Sequence, residues 1–124
     1  MLVHWDGDAN GASLAADQAA FEQMASLVSR HIFIGSGRRT NSGTDKIAAT
    51  NQRNAWLSSR FGPRYLDPHP TLQGLSTGSP EDSAAITAGL IPPSCLQADG
   101  THLTLAAMNA VAAAILQRLD ALGF

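Results

Sequence analysis

Short strand-like runs alternate with helical segments along this chain, and that alternation limits its fold more than any other feature. The runs are Leu2-Val3-His4-Trp5, His31-Ile32-Phe33-Ile34 closed by Gly35, and Arg64-Tyr65-Leu66-Asp67 closed by Pro68. Strands separated by helices build βαβ units, which require a mostly parallel sheet with right-handed crossovers and helices on both faces. The expected fold class is therefore α/β.

Residues 13 to 30 are helical in composition, with Ser13 placed to cap and Leu14, Phe21, Met24 and Val28 at helix-compatible spacing. A second helix is expected from Thr44, with Ile47, Trp56, Leu57 and Phe61 as its apolar positions and Gly62-Pro63 as a stop. From His69 to Ala98 the chain is rich in loop residues, although Pro80 to Ala88 could hold a helical turn or two. Leu103 to Leu122 is the strongest helix: Met108, Val111, Ile115, Leu119 and Leu122 are spaced 3, 4, 4 and 3 apart behind Thr104 as N-cap.

A chain of 124 residues with 44% hydrophobic content can bury one core, so residues 1–124 are read as one domain. The net charge is -2, and only Arg38-Arg39 places two basic residues side by side, which argues against a nucleic-acid partner. The uncharged, Ala-rich run from Leu103 to Gln117 is short for a bilayer span, so no membrane association is expected. A single cysteine, Cys95, excludes an internal disulfide and leaves the compartment open. No secretory signal opens the sequence. Met1 leads within one residue into a run that reads as an interior strand, and from this the domain is expected to be N-terminally incomplete.

The residues best placed for chemistry are Asp99-Gly100-Thr101-His102-Leu103, immediately before the last helix. An Asp three residues ahead of a His on a tight Gly turn lets the carboxylate orient an imidazole and stabilise its protonated form. The plainer alternative is that Asp99 caps the approach to the helix and His102 is a satisfied, half-buried histidine.

The block from Ile91 to Thr104 (IPPSCLQADGTHLT), followed by an Ala-rich helix, resembles the C-terminal block of SGNH/GDSL-type esterases, whose signature there is Asp-x-x-His-Leu. Asn51 to Asp67 (NQRNAWLSSRFGPRYLD) and His31 to Gly35 are similar to that family's preceding helix and strands in order and spacing. The resemblance implies a three-layer αβα sandwich with a parallel, flavodoxin-like sheet. It also implies hydrolysis of a small ester or acylated carbohydrate, such as carbohydrate deacetylation, without cofactor or metal. His102 would be the general base and Asp99 its partner. Asn10 would donate to the oxyanion, and Arg38 and Arg39 could contact substrate.

This sequence departs from the family in two places. No Gly-Asp-Ser triplet occurs, and Gly35-Ser36-Gly37 follows the wrong strand for it, so the nucleophile is expected upstream or on another chain. In Gly7-Asp8-Ala9-Asn10, alanine stands at the oxyanion-donor position and Asn10 one residue late. One alternative is a binding or interaction domain that kept the fold and lost the chemistry. Another is calcium binding at residues 6–17, with Asp6, Asp8, Asn10, the Ala12 carbonyl and Asp17 as ligands. A sheet edge left by a missing strand would favour self-association or pairing with the missing segment.

Overall fold

In the computed structural model, which describes residues 1–5 and 13–124, three parallel strands lie side by side in sequence order. They are β1 (Leu2–Trp5), β2 (His31–Ile34) and β3 (Tyr65–Leu66). Helix α1 (Leu14–Leu27) lies between β1 and β2 in the chain, and α2 (Thr44–Phe61) between β2 and β3. Two short helices, α3 (His69–Gln73) and α4 (Pro80–Thr87), precede the long C-terminal α5 (Leu105–Ala121). The α/β class is as expected, and so is the parallel sheet. Within the loop-rich stretch from His69 to Ala98, α4 occupies the helical turns expected at Pro80 to Ala88, whereas α3 is a helix where loop was expected.

Local chemistry places the helix starts. Ser13, Ser79 and Thr104 each sit in extended backbone and accept an N–H three residues on, from Ala16, Asp82 and Ala107. Such a cap satisfies a donor that the first helical turn leaves unpaired. Helix α2 ends at Gly62, whose φ of +50° suits glycine, and Pro63 follows.

The two faces of β2 separate the core. Phe33 points toward α1 and α2, where it packs with Phe21, Leu57 and Tyr65. Ring centroids lie 4.9 Å apart for Phe21–Phe33 and 4.6 Å apart for Phe33–Phe61, both edge to face. Ile32 and Ile34 point the other way and pack with Leu66 and Leu119 under α5. The period-2 alternation of a strand thus builds two cores from four residues. A third cluster, of Leu72, Ile91, Cys95, Leu96, Ala107 and Val111, fixes α3 and the segment before α5 against that helix.

The face of α5 differs from its expected spacing at one end. Val111 and Leu119 are buried, with Ile115 and Leu122 packed beside them, but Met108 is 44% exposed. Ala107 takes the buried place in that turn at 0% exposure, in the cluster that joins α5 to Leu72 of α3. Trp5, at 38% exposure, lies with Val3 on the β1 face turned away from Phe21 and Phe33.

Candidate functional site

In an open parallel sheet the carboxyl ends of the strands are where ligands bind, and the polar side chains of this protein gather there. The turn after β2 is held from several sides. Asn54 on α2 accepts from the Ser36 N–H at 3.0 Å and donates to the Ser36 carbonyl at 3.0 Å. Arg53 donates to the Ser36 hydroxyl at 3.2 Å and to Asp17 on α1 at 2.7 Å. Ser36 is 1% exposed, so it is a structural residue of this turn rather than an open nucleophile.

Arg38 and Arg39, adjacent in sequence, diverge from there. Arg38 donates through its backbone N–H (3.1 Å) and its Nε (3.0 Å) to the same atom, Nε2 of His69. Its Nη1 reaches Asn51 Oδ1 at 2.9 Å. Arg39 instead donates to the carbonyl of Thr101 at 3.1 Å, which ties the loop after β2 to the turn carrying Asp99 and His102.

That turn is closed at its base by a bridge between Leu96 and Leu103. The Gln97 N–H donates to the His102 carbonyl at 2.7 Å, and the Thr104 N–H to the Cys95 carbonyl at 2.8 Å. Within it, Asp99 Oδ1 accepts the backbone N–H groups of Thr101 (2.8 Å) and His102 (3.0 Å), while Oδ2 lies 2.6 Å from His102 Nδ1. Gly100 has φ +63°, a left-handed position where a side chain would be strained, and a Cβ there would also lie 3.2 Å from Asn41 Nδ2. The hydrogen bond from the His102 ring, then those from the His102 and Thr101 backbone, hold the Asp99 carboxyl well below the usual carboxylate range.

The arrangement orients the imidazole through Nδ1 and leaves Nε2 with no hydrogen bond to the described residues. A base in an acyl-transfer site needs this polarity, with one nitrogen fixed and the other facing the reactants. The His102 side chain is 73% exposed and that of Asp99 48%. His102 is therefore not the half-buried histidine of the plainer expectation. Asp99 caps its own turn, and Thr104 caps the helix.

Asn10 and the rest of residues 6–12 lie outside the described residues. The calcium expectation fails at its last position: Asp17, 7% exposed, is paired with Arg53 and turned into the protein. A buried carboxylate neutralised by a guanidinium is not available to a cation.

Sequence reasoning missed the cluster around Asp67, Pro68 and His69. His69 is 2% exposed, with Nδ1 donating to Asp67 Oδ1 at 2.9 Å and its backbone N–H donating to the same oxygen at 3.0 Å. With Nε2 accepting from Arg38, both ring nitrogens are engaged. Burial pushes the Asp67 carboxyl up, but the His69 hydrogen bonds and the Arg38 charge outweigh it and hold it below its ordinary range. An Asp at the carboxyl end of a parallel strand was the available signal.

A second missed carboxylate, Asp82 at 1% exposure, staples α4 to the Pro93–Cys95 turn. It accepts from the Ser94 hydroxyl at 2.6 Å, the Ser94 N–H at 3.0 Å and the Thr77 N–H at 2.8 Å. The Ser94 hydroxyl contributes most to holding its carboxyl far below the usual range.

Among the described residues no helix is long and apolar enough to cross a membrane. Comparison with known proteins returned no matching family model, no matching curated protein and no matching solved structure.

Proposed function

We propose that this chain carries the histidine and aspartate of an ester hydrolase of the SGNH/GDSL type, within a three-layer αβα sandwich, acting on a small ester or an acylated carbohydrate. The observation that carries this reading is the 2.6 Å contact between Asp99 Oδ2 and His102 Nδ1, on a turn tied by Arg39 to the carboxyl end of β2. His102 is the general base, Asp99 fixes its tautomer and stabilises its cation, and Asn10 donates to the oxyanion. No Gly-Asp-Ser triplet is present, so the attacking serine comes from polypeptide outside residues 1–124.

The test is p-nitrophenyl acetate hydrolysis by the longest polypeptide that the reading frame encodes, with His102→Ala and Asp99→Asn alongside. Loss of turnover in His102→Ala is the expected result. Equal rates for parent and His102→Ala would remove His102 from the mechanism.

A second reading, a binding or interaction domain without chemistry, draws on the openness of the pair and on the occupied hydroxyls of Ser36 and Ser94. It expects no turnover in any of the three proteins. Both readings share a further expectation: β1 is bonded to β2 on one side, and no described strand covers its other side. That open edge would pair with a second copy or with another segment.

A further inference from the structure

Between α2 and the end of β3 lies a cavity of about 350 Å³ lined by Arg38, Asn51, Asn54, Ala55, Ser58, Tyr65 and Asp67. None of these residues belongs to the turn of Asp99 and His102. We propose that this cavity is a binding site for a neutral polyhydroxylated ligand the size of one sugar ring, whether free or as one unit of a glycan. The proposal is independent of whether His102 performs hydrolysis.

Three observations carry it. First, Arg38 is held in place before any ligand arrives. A buried histidine gives its Nε2 to two Arg38 donors and its Nδ1 to Asp67, so His69 fixes both charged members of the cavity at once. Preorganised polar groups lose little freedom on binding, which is what distinguishes a binding residue from a solvated one.

Second, hydrogen-bonding capacity is left over on the lining groups. Among the described residues, Asp67 uses only Oδ1, Asn51 only its Oδ1, and Arg38 Nη2 meets no partner. The Tyr65 and Ser58 hydroxyls make no hydrogen bond to the described residues. Asn54 differs, since both of its amide atoms hold Ser36, and it acts as wall.

Third, the signs of these groups select the ligand class. A guanidinium and a carboxylate line one small cavity, so the site is close to neutral and repels neither sign outright. A phosphate or carboxylate ligand would meet Asp67, whose carboxyl is held ionised. Sugar hydroxyls both donate and accept, and so can bridge the Asp67 carboxylate to Arg38 and Asn51. A volume of about 350 Å³ falls at the small end of ligand pockets, where a single ring fits.

The test is a ¹⁵N-resolved NMR titration of residues 1–124 with methyl glucoside, methyl galactoside and methyl N-acetylglucosaminide, with cellotriose and chitotriose as glycan arms, and with sodium sulfate as the anion arm. Expected are saturable shifts centred on Asn51, Ser58, Tyr65 and Asp67, with Kd on the order of millimolar for at least one sugar. Tighter binding of a trisaccharide than of its monosaccharide identifies a glycan unit, and equal binding identifies the free sugar. Ala55→Trp, at an exposed wall position, should weaken binding about tenfold or more with no change in melting temperature. Sugar shifts absent up to solubility, shifts unaltered by Ala55→Trp, or saturation by sulfate alone would each overturn the proposal.

Discussion

Arg53 on α2 grips Asp17 on α1 across 36 residues of chain, and the same guanidinium holds the Ser36 hydroxyl at the end of β2. One cation therefore joins both helices of one sheet face to the turn that leads into Arg38 and Arg39. Its own exposure is 8% and that of Asp17 is 7%, so water does little to screen the pair. Removing one partner leaves a buried charge uncompensated. Asp17→Ala should cost about 3–5 kcal/mol in urea unfolding, and Arg53→Met in that background should recover much of it. A single Asp17→Ala loss below about 1 kcal/mol would show the pair to be solvated.

Gly35 has its own requirement. A Cβ at that position would lie 2.5 Å from the Tyr65 hydroxyl oxygen and 3.1 Å from Asn54 Oδ1. Gly35→Ala should therefore destabilise by about 1–3 kcal/mol, the usual cost of forcing atoms into a packed site. Adding Tyr65→Phe, which removes the nearest atom and keeps the ring, should return part of the loss. Additive effects in the double mutant would show that the clash lies elsewhere.

The dependence of stability on pH should have an acid limb. Asp82 and Asp99 both have carboxyls held below their ordinary range by hydrogen bonds, from Ser94 and Thr77 in one case and from His102 and Thr101 in the other. A folded-state pKa below the unfolded one contributes stability that is present above the unfolded value. That stability is lost as pH falls through the folded value. Melting temperature should thus hold steady above about pH 5 and decline from about pH 4 downward. Asp82→Asn should flatten this decline, and an unchanged slope would dismiss Asp82 as a main contributor.

On the proposed hydrolase reading, Asp99→Asn should lower kcat by about a hundredfold or more while leaving KM nearly unchanged, because the amide no longer stabilises a cation formed on His102. The effect is read from p-nitrophenyl acetate turnover. A change confined to KM would place Asp99 in substrate contact instead.

The open edge of β1 makes an association prediction. Sedimentation of residues 1–124 should show concentration-dependent self-association. Val3→Lys, at a position 39% exposed on that strand, should shift it toward monomer. Monomeric behaviour at every concentration would mean that the edge is already covered.

The fold was legible wherever a local rule decided the outcome. Ser13 and Thr104 announce helices because a capping oxygen needs only its own next turn. His31–Ile34 announces a strand because a short β-branched and aromatic run stopped by glycine needs only its own composition. Asp99 and His102 were legible for the same reason, standing three residues apart. What stayed hidden depends on distance along the chain. The Arg38–His69 contact spans 31 residues, and Asp82–Ser94 joins helix α4 to a turn 12 residues on that sequence alone does not bring to it. Met108 differs because periodicity marks which side of a helix is apolar, whereas the packed cluster with Leu72 and Val111 takes in Ala107 instead.

The loop that carries Asp99 and His102 is knotted to itself by the Leu96–Leu103 bridge and by its own backbone hydrogen bonds. Segments this short close on the order of 10–100 ns. The hydrogen bonds that close this turn and those that join Asp99 to His102 all lie within residues 95–104. A turn so self-contained tolerates change around it: residues outside 95–104 can be exchanged without removing any hydrogen bond between Asp99 and His102.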